Sequence, residues 1–166
     1  MPTTSAPWNE WYQAHVRALV LLARQWAATP SDAEDIVHDA FIRFWNRRDH
    51  VEDAAAFLYT CVRRLAVDYT RSLQRRRNRE QLVSQHQDET CLFESPVERD
   101  ERRQQIESAL MELTTEQREV IVMKIWGGLT FPAIAQVTGV SANTAASRYR
   151  YAMVALKQYL TEDSDR

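Results

Sequence analysis

Residues 139–153, GVSANTAASRYRYAM, hold two arginines, two tyrosines and no acidic side chain, in a chain of formal net charge −2. Ser141 is placed to cap a helix there. Ala145, Tyr149, Ala152 and Leu156 recur at i, i+4, i+7 and i+11, the stripe that faces a core. That spacing leaves Asn143, Thr144, Ser147, Arg148, Arg150 and Tyr151 on the outward face. Such side chains donate and accept hydrogen bonds at base edges in the major groove, and an acid among them would repel phosphate. A second grouping is basic. Arg63, Arg64, Arg71, Arg75, Arg76, Arg77 and Arg79 are accompanied only by Asp68. Arginine offers bidentate donors to phosphate and a flat surface for stacking on bases. A third grouping, Asp35, His38, Asp39 and Ile42, sits at i, i+3, i+4 and i+7. Two carboxylates beside an apolar side chain, on a face that the core does not use, suggest a docking surface. Each grouping also fits a plain solvated helix face.

These side chains need helices to position them, and the sequence supplies the signals. A first helix is predicted from about Trp8 to Ala28, with Tyr12, Val16, Leu19, Ala23 and Trp26 on one face. TPSD (29–32) breaks it. Ser31 and Glu34 have the spacing of a capping box opening a second helix. Ala33, Ile36, Val37, Ala40, Phe41 and Phe44 are its core stripe. After the polar NRRDHVED (46–53), a third helix is predicted from Ala54 to about Gln74. Residues 79–98 lack sustained periodicity and contain a Ser-Pro break, which reads as a linker. Beyond it, Ile106, Leu110 and Leu113 mark one helix. Thr114 and Gln117 cap another that Gly127-Gly128 ends, and Thr130 caps a short one. TGV (138–140) then turns into the final helix. A short helix, a glycine turn and a longer helix make a helix-turn-helix. The expected fold is all-α: two small helical domains joined by a flexible linker, at residues 1–78, 79–98 and 99–161, the C-terminal one a helix-turn-helix.

Charge is segregated along this order. Seven arginines between residues 63 and 79 precede a middle segment, 80–119, with eleven acids and four basic residues. Residues 142–160 then hold three basic residues and no acid. Local basic stripes, not net charge, are the footprint of nucleic-acid binding. The apolar run ALVLLA (18–23) is far shorter than the roughly 20 residues of a membrane span. No secretory signal is apparent, and a cytoplasmic location without membrane insertion is expected. Cys61 and Cys91 are isolated, which fits neither a zinc site nor a disulfide framework.

On these residues the chain resembles bacterial sigma factors of the extracytoplasmic-function group, within the sigma-70 family. DAEDIVHDAFIRFWNRRD (32–49) is similar to the conserved second region of such proteins, and AFLYTCVRRLAVDYTRSLQRRR (56–77) to the segment that follows it. Residues 113–160 are similar to their promoter-binding C-terminal domain. The resemblance implies a protein that is not an enzyme and has no catalytic site, cofactor or metal. Its implied partners are core RNA polymerase, through the β′ coiled coil and the β subunit, promoter DNA, and in many members an anti-sigma factor. Asp35, His38, Asp39 and Ile42 match the positions that dock on the β′ coiled coil. Arg63, Arg64, Arg71, Arg75 and Arg76 lie in the segment that melts and reads the −10 element. Asn143, Thr144, Ser147, Arg148, Arg150 and Tyr151 lie in the reader of the −35 element. Arg64 stands where the group usually carries Asn, and His38 where it usually carries Gln.

Two other readings use the same residues. A LuxR-type helix-turn-helix regulator shares much of the C-terminal pattern, but would bind duplex DNA without acting as a sigma factor. Asp35-x-x-His38 with Glu34 has the spacing of half a di-iron site in a helical bundle. That site needs a second carboxylate–His helix, which His15, His50 and His86 do not provide.

Overall fold

A computed structural model describes residues 5–80 and 101–164. Seven α-helices account for most of them: α1 Ser5–Ala23, α2 Pro30–Arg47, α3 Ala54–Glu80, α4 Glu101–Met111, α5 Thr115–Ile121, α6 Phe131–Thr138 and α7 Ala142–Ser164. A 3₁₀ turn, Arg48–His50, follows α2, and a π-turn, Val122–Trp126, follows α5. No strand occurs among the described residues. Helices α1–α3 form one unit and α4–α7 a second. The linker expected at 79–98 falls, from residue 81 onward, outside the described residues, and α3 continues past the expected Gln74 to Glu80.

The start of α2 differs from the sequence reading. Thr29, not Ser31, is its cap: the Thr29 hydroxyl accepts from the Asp32 amide at 3.1 Å and donates to the Asp32 carboxylate at 2.6 Å. Pro30 explains the shift. Its fixed φ suits the first helical turn, where its missing N–H would have no partner anyway. Asp32 also accepts from the Tyr69 hydroxyl at 2.9 Å, which ties α2 to α3. In α1 the helix ends at Ala23 and residues 24–27 close as turns onto carbonyls of Val20, Leu22 and Ala23.

The caps expected in the second unit are present. Thr114 and Gln117 form a reciprocal capping box on α5. Thr130 caps α6 through the Ala133 amide, and the Ser141 hydroxyl accepts from the Thr144 amide at 3.1 Å. Gly139, at φ 73°, takes the left-handed conformation that ends α6 and turns the chain into α7.

The two units share a core. Leu19, Leu22, Phe44, Leu58, Tyr59 and Val62 of the first pack in one continuous cluster with Val120, Met123, Leu129 and Ile134 of the second. Helix α6 lies on α3, and the π-turn lies on α1. A smaller cluster, Leu110, Leu113, Ile121 and Ala152, holds α4, α5 and α7 together. Gly127 sits where the units meet. A Cβ there would lie 2.7 Å from the Tyr59 hydroxyl and 2.6 Å from the Met123 carbonyl, so only glycine fits.

Tyr59 also meets His15, whose Nδ1 lies 3.1 Å from its hydroxyl. Burial holds the His15 pKa below its ordinary value. The unfolded chain therefore takes up a proton that the folded chain resists, and stability falls as pH drops through the ordinary histidine range. We expect the urea midpoint to fall between about pH 7.5 and about pH 5.5, and His15→Gln to flatten part of that slope. Glu119, raised by burial, contributes with the opposite sign over its own range. The difference between wild type and His15→Gln isolates the histidine; parallel profiles would remove it from the pH response.

Candidate docking face and nucleic-acid interface

Helix α2 presents the acidic grouping outward. Ala33, Ile36, Val37, Ala40 and Phe44 are buried, and Asp35, His38, Asp39 and Ile42 are all exposed. Ile42 is 46% exposed, and Trp45, three residues on, is 40% exposed. The Arg48 guanidinium lies 4.3 Å from the Trp45 ring centroid and fixes its position. Trp45 extends the apolar part of this face. The sequence reading passed over it because its neighbour Phe44 takes the core position. The helical spacing Ile42-x-x-Trp45 was the available signal. The ion pairs seen among the described residues involve neither Asp35 nor Asp39.

Helix α3 divides the basic grouping into two. Arg64, Arg71, Arg75 and Arg76 are exposed, and Arg64, Asp68, Arg71 and Arg75 recur at i, i+4, i+7 and i+11 as one stripe. Asp68 lies 4.0 Å from Arg71, with both side chains 72% exposed, a weak and solvated pair. Arg63 points the other way. Its Nε donates to Glu119 Oε1 at 3.0 Å, and its guanidinium lies 5.8 Å from the Trp26 ring centroid. So α3 brings four of the five expected DNA-contacting arginines to the surface and turns the fifth toward α5.

Helix α7 holds the third set. Asn143, Thr144, Arg150 and Tyr151 are exposed, and Ser147 and Arg148 are half-buried. Asn143 and Ser147, with Thr144, Arg148 and Tyr151, form two adjoining rows of one broad face. Ala145 and Ala152, fully buried, anchor the opposite side. The Thr144 hydroxyl is 2.8 Å from that of Ser141, so it shares in capping the helix. The first turn holds no acidic residue that would repel phosphate. Helix α6 and the Gly139 turn set the angle at which this face projects.

Among the described residues no three His, Cys, Asp or Glu side chains converge to hold a metal ion. No helix among them is long and apolar enough to cross a membrane.

Comparison with known proteins bears on the same segments. The family model for sigma-70 region 2 matches residues 11–76, and that for sigma-70 region 4 matches residues 103–156. The ECF RNA polymerase sigma factor SigL of Mycobacterium tuberculosis is 31% identical over 157 residues, covering 91% of this chain and 87% of SigL. The RNA polymerase sigma factor NccH of Alcaligenes xylosoxydans is 30% identical over 156 residues, covering 89% and 83% of the two chains. Among solved structures, the sigma factor RpoE in complex with the anti-sigma factor NepR from Bartonella quintana superposes with a TM-score of 0.63 at 22% identity, covering 93% of this chain and 97% of that one. CnrH in complex with the cytosolic domain of CnrY gives 0.59 at 23% identity, covering 97% and 92%. These two share the fold. The order of the two matched regions and the relatedness to SigL along nearly the whole length identify the chain as a member of the sigma-70 family, in its extracytoplasmic-function group of RNA polymerase sigma factors.

Proposed function

We propose that this protein binds core RNA polymerase and directs promoter-specific initiation, with α2 docking on polymerase, α3 engaging the −10 element and α7 reading the −35 element. The observation that carries this is the pairing of regions 2 and 4, in order, with three separate exposed faces of the matching chemistry. A LuxR-type regulator would have no use for the region 2 half. The acidic-apolar face of α2 suits a basic partner surface. The arginine stripe of α3 suits a separated strand, where charge attracts the backbone and guanidinium planes stack on unpaired bases. The amphipathic α7 suits the major groove. The protein works by binding, and the chemistry of RNA synthesis belongs to polymerase. An anti-sigma factor is a natural further partner, since RpoE of Bartonella quintana was solved with one. Run-off transcription with purified core polymerase on a promoter library tests the reading. Discrete start sites that require the protein support it. Duplex binding without any such transcription would overturn it.

Arg148→Ala tests the upstream face. A base-edge contact by arginine contributes about 1–3 kcal/mol of discrimination. Transcription from promoters that need a −35 element should therefore fall about tenfold, with selectivity relaxed at one base pair. An even loss across all sequences would place Arg148 on phosphate. An unchanged promoter profile would remove it from the interface.

A further inference from the structure

The proposed function leaves Glu119 without a role, and its setting is unusual. It lies on α5, 1% exposed, inside the core that joins the two units. Its partner is Arg63 of α3, at 3.0 Å and 29% exposed. Its second oxygen, Oε2, has no hydrogen-bond partner among the described residues. Burial raises its pKa, against the opposing pull of Arg63 and, more weakly, of Arg148 on α7. Glu119 therefore faces the charge of one arginine from each of the two proposed DNA-reading helices.

A carboxylate buried with one oxygen unsatisfied is a poor way to gain stability. The cost of removing the charges from water largely offsets their attraction. Arg63 cannot leave alone, since that would strand Glu119 as an uncompensated buried charge; the pair is given up only when the units part and Glu119 meets water. DNA phosphate offers Arg63 the same anionic oxygens in a more solvated setting. The closed arrangement also seats α6 against α3 and the π-turn against α1, fixing the spacing of the α3 and α7 faces at one value. We propose that Glu119 competes within the chain for the promoter strand: it holds Arg63 in a closed arrangement of the two units, and that pair must part before Arg63 can join the exposed arginines of α3 on DNA. This inference rests on the reading of α3 as a DNA-engaging helix.

The test uses full-length protein. In Glu119→Gln the shape is kept and the charge removed; in Glu119→Lys the attraction becomes repulsion. Small-angle scattering should give a larger radius of gyration for Glu119→Lys than for wild type, with helicity by circular dichroism unchanged. The charge swap, Arg63→Glu with Glu119→Arg, should return the radius toward the wild-type value. Glu119→Gln should tighten binding to core polymerase by about three- to tenfold, because a larger fraction of the chain is already open. A merely structural ion pair predicts the opposite sign: weaker binding as the fold loosens. Equal radii for wild type and Glu119→Lys, or weaker polymerase binding by Glu119→Gln, would overturn the proposal. If Glu119→Lys does not fold, the sign of the Glu119→Gln effect decides. Wild-type run-off transcription is scored separately. If wild type drives transcription and the variants do not open, this inference fails and the sigma-factor reading stands. If the variants open and wild type drives no transcription, the reading of α3 fails instead.

Discussion

Asp35→Ala combined with Asp39→Ala lowers the affinity for core RNA polymerase by about a hundredfold while leaving the helices intact. The expectation follows from where α2 puts these carboxylates. Both are exposed, on the face opposite Ile36, Val37 and Phe44, and no ion pair among the described residues holds either of them. Their removal leaves no partner stranded inside this protein, so folding loses little. In the proposed complex the same carboxylates would be desolvated against a partner. Truncating one member of such a charge pair costs about 2–5 kcal/mol, much of it the penalty of leaving the other charge unmatched. About 3 kcal/mol for the double variant, the two adjacent acids facing one partner surface so that their effects overlap rather than add, corresponds to roughly a hundredfold in dissociation constant. In the proposed interface Ile42 and Trp45, both exposed, would supply the apolar centre that excludes water from these pairs. The measurement is a titration of labelled core polymerase with wild-type and variant chains, with circular dichroism as the control for folding. Affinity within twofold of wild type would show that α2 does not dock through this face.

The helical order was legible because periodicity and caps are local. Thr114, Thr130 and Ser141 each cap the helix that their spacing indicated. The outward face of α7 could be assigned from Ala145 and Ala152 alone, since small residues at helical spacing mark close packing. The same local reasoning misjudged the start of α2, where Thr29 with Pro30 competed with Ser31. What no local pattern carries is the contact between the units. Tyr59 and Val62 are fully buried under the second half of the chain, yet in the sequence they sit between Leu58 and Arg63 like any other apolar residues of α3. Gly127 read only as a helix end; its close approach to Tyr59 depends on a neighbour 68 positions away in sequence. Arg63 was grouped with its neighbouring arginines because composition cannot show that one of them turns inward to Glu119. A lone glutamate in an otherwise apolar turn, Glu119-Val120-Ile121-Val122, was the available signal.

Arg118→Ala lowers stability by about 3 kcal/mol, an effect that the exposed look of an arginine in TTEQREV would not suggest. Its guanidinium is a clamp. Nε donates to the Leu110 carbonyl at 2.8 Å, and Nη2 to the carbonyls of Leu113 at 2.9 Å and Met111 at 3.2 Å. Nη1 reaches across to Gln25 Oε1 in the first unit at 3.1 Å. The last carbonyls of any helix lack intrahelical partners; Arg118 donates to two of those of α4, Leu110 and Met111, while the Glu112 and Leu113 amides close onto Ser108 and Leu110. The positive charge also sits at the negative end of the α4 dipole. Alanine would leave the carbonyl of buried Leu110 with only its 3.2 Å bond from the Leu113 amide and would also lose the charge-assisted bonds to Leu113 and Met111, each worth about 1.5–3 kcal/mol before water replaces any of them. Lysine carries the charge but lacks the fork, so Arg118→Lys should recover less than half of the loss. Gln25→Ala removes only the bond between units and should cost about 1 kcal/mol or less. Urea denaturation followed by far-ultraviolet circular dichroism separates these cases, and the shared core predicts one cooperative transition for all of them. A loss under about 1 kcal/mol for Arg118→Ala would mean that water satisfies the α4 carbonyls and that packing around Leu110 and Leu113 alone holds α4 to α5.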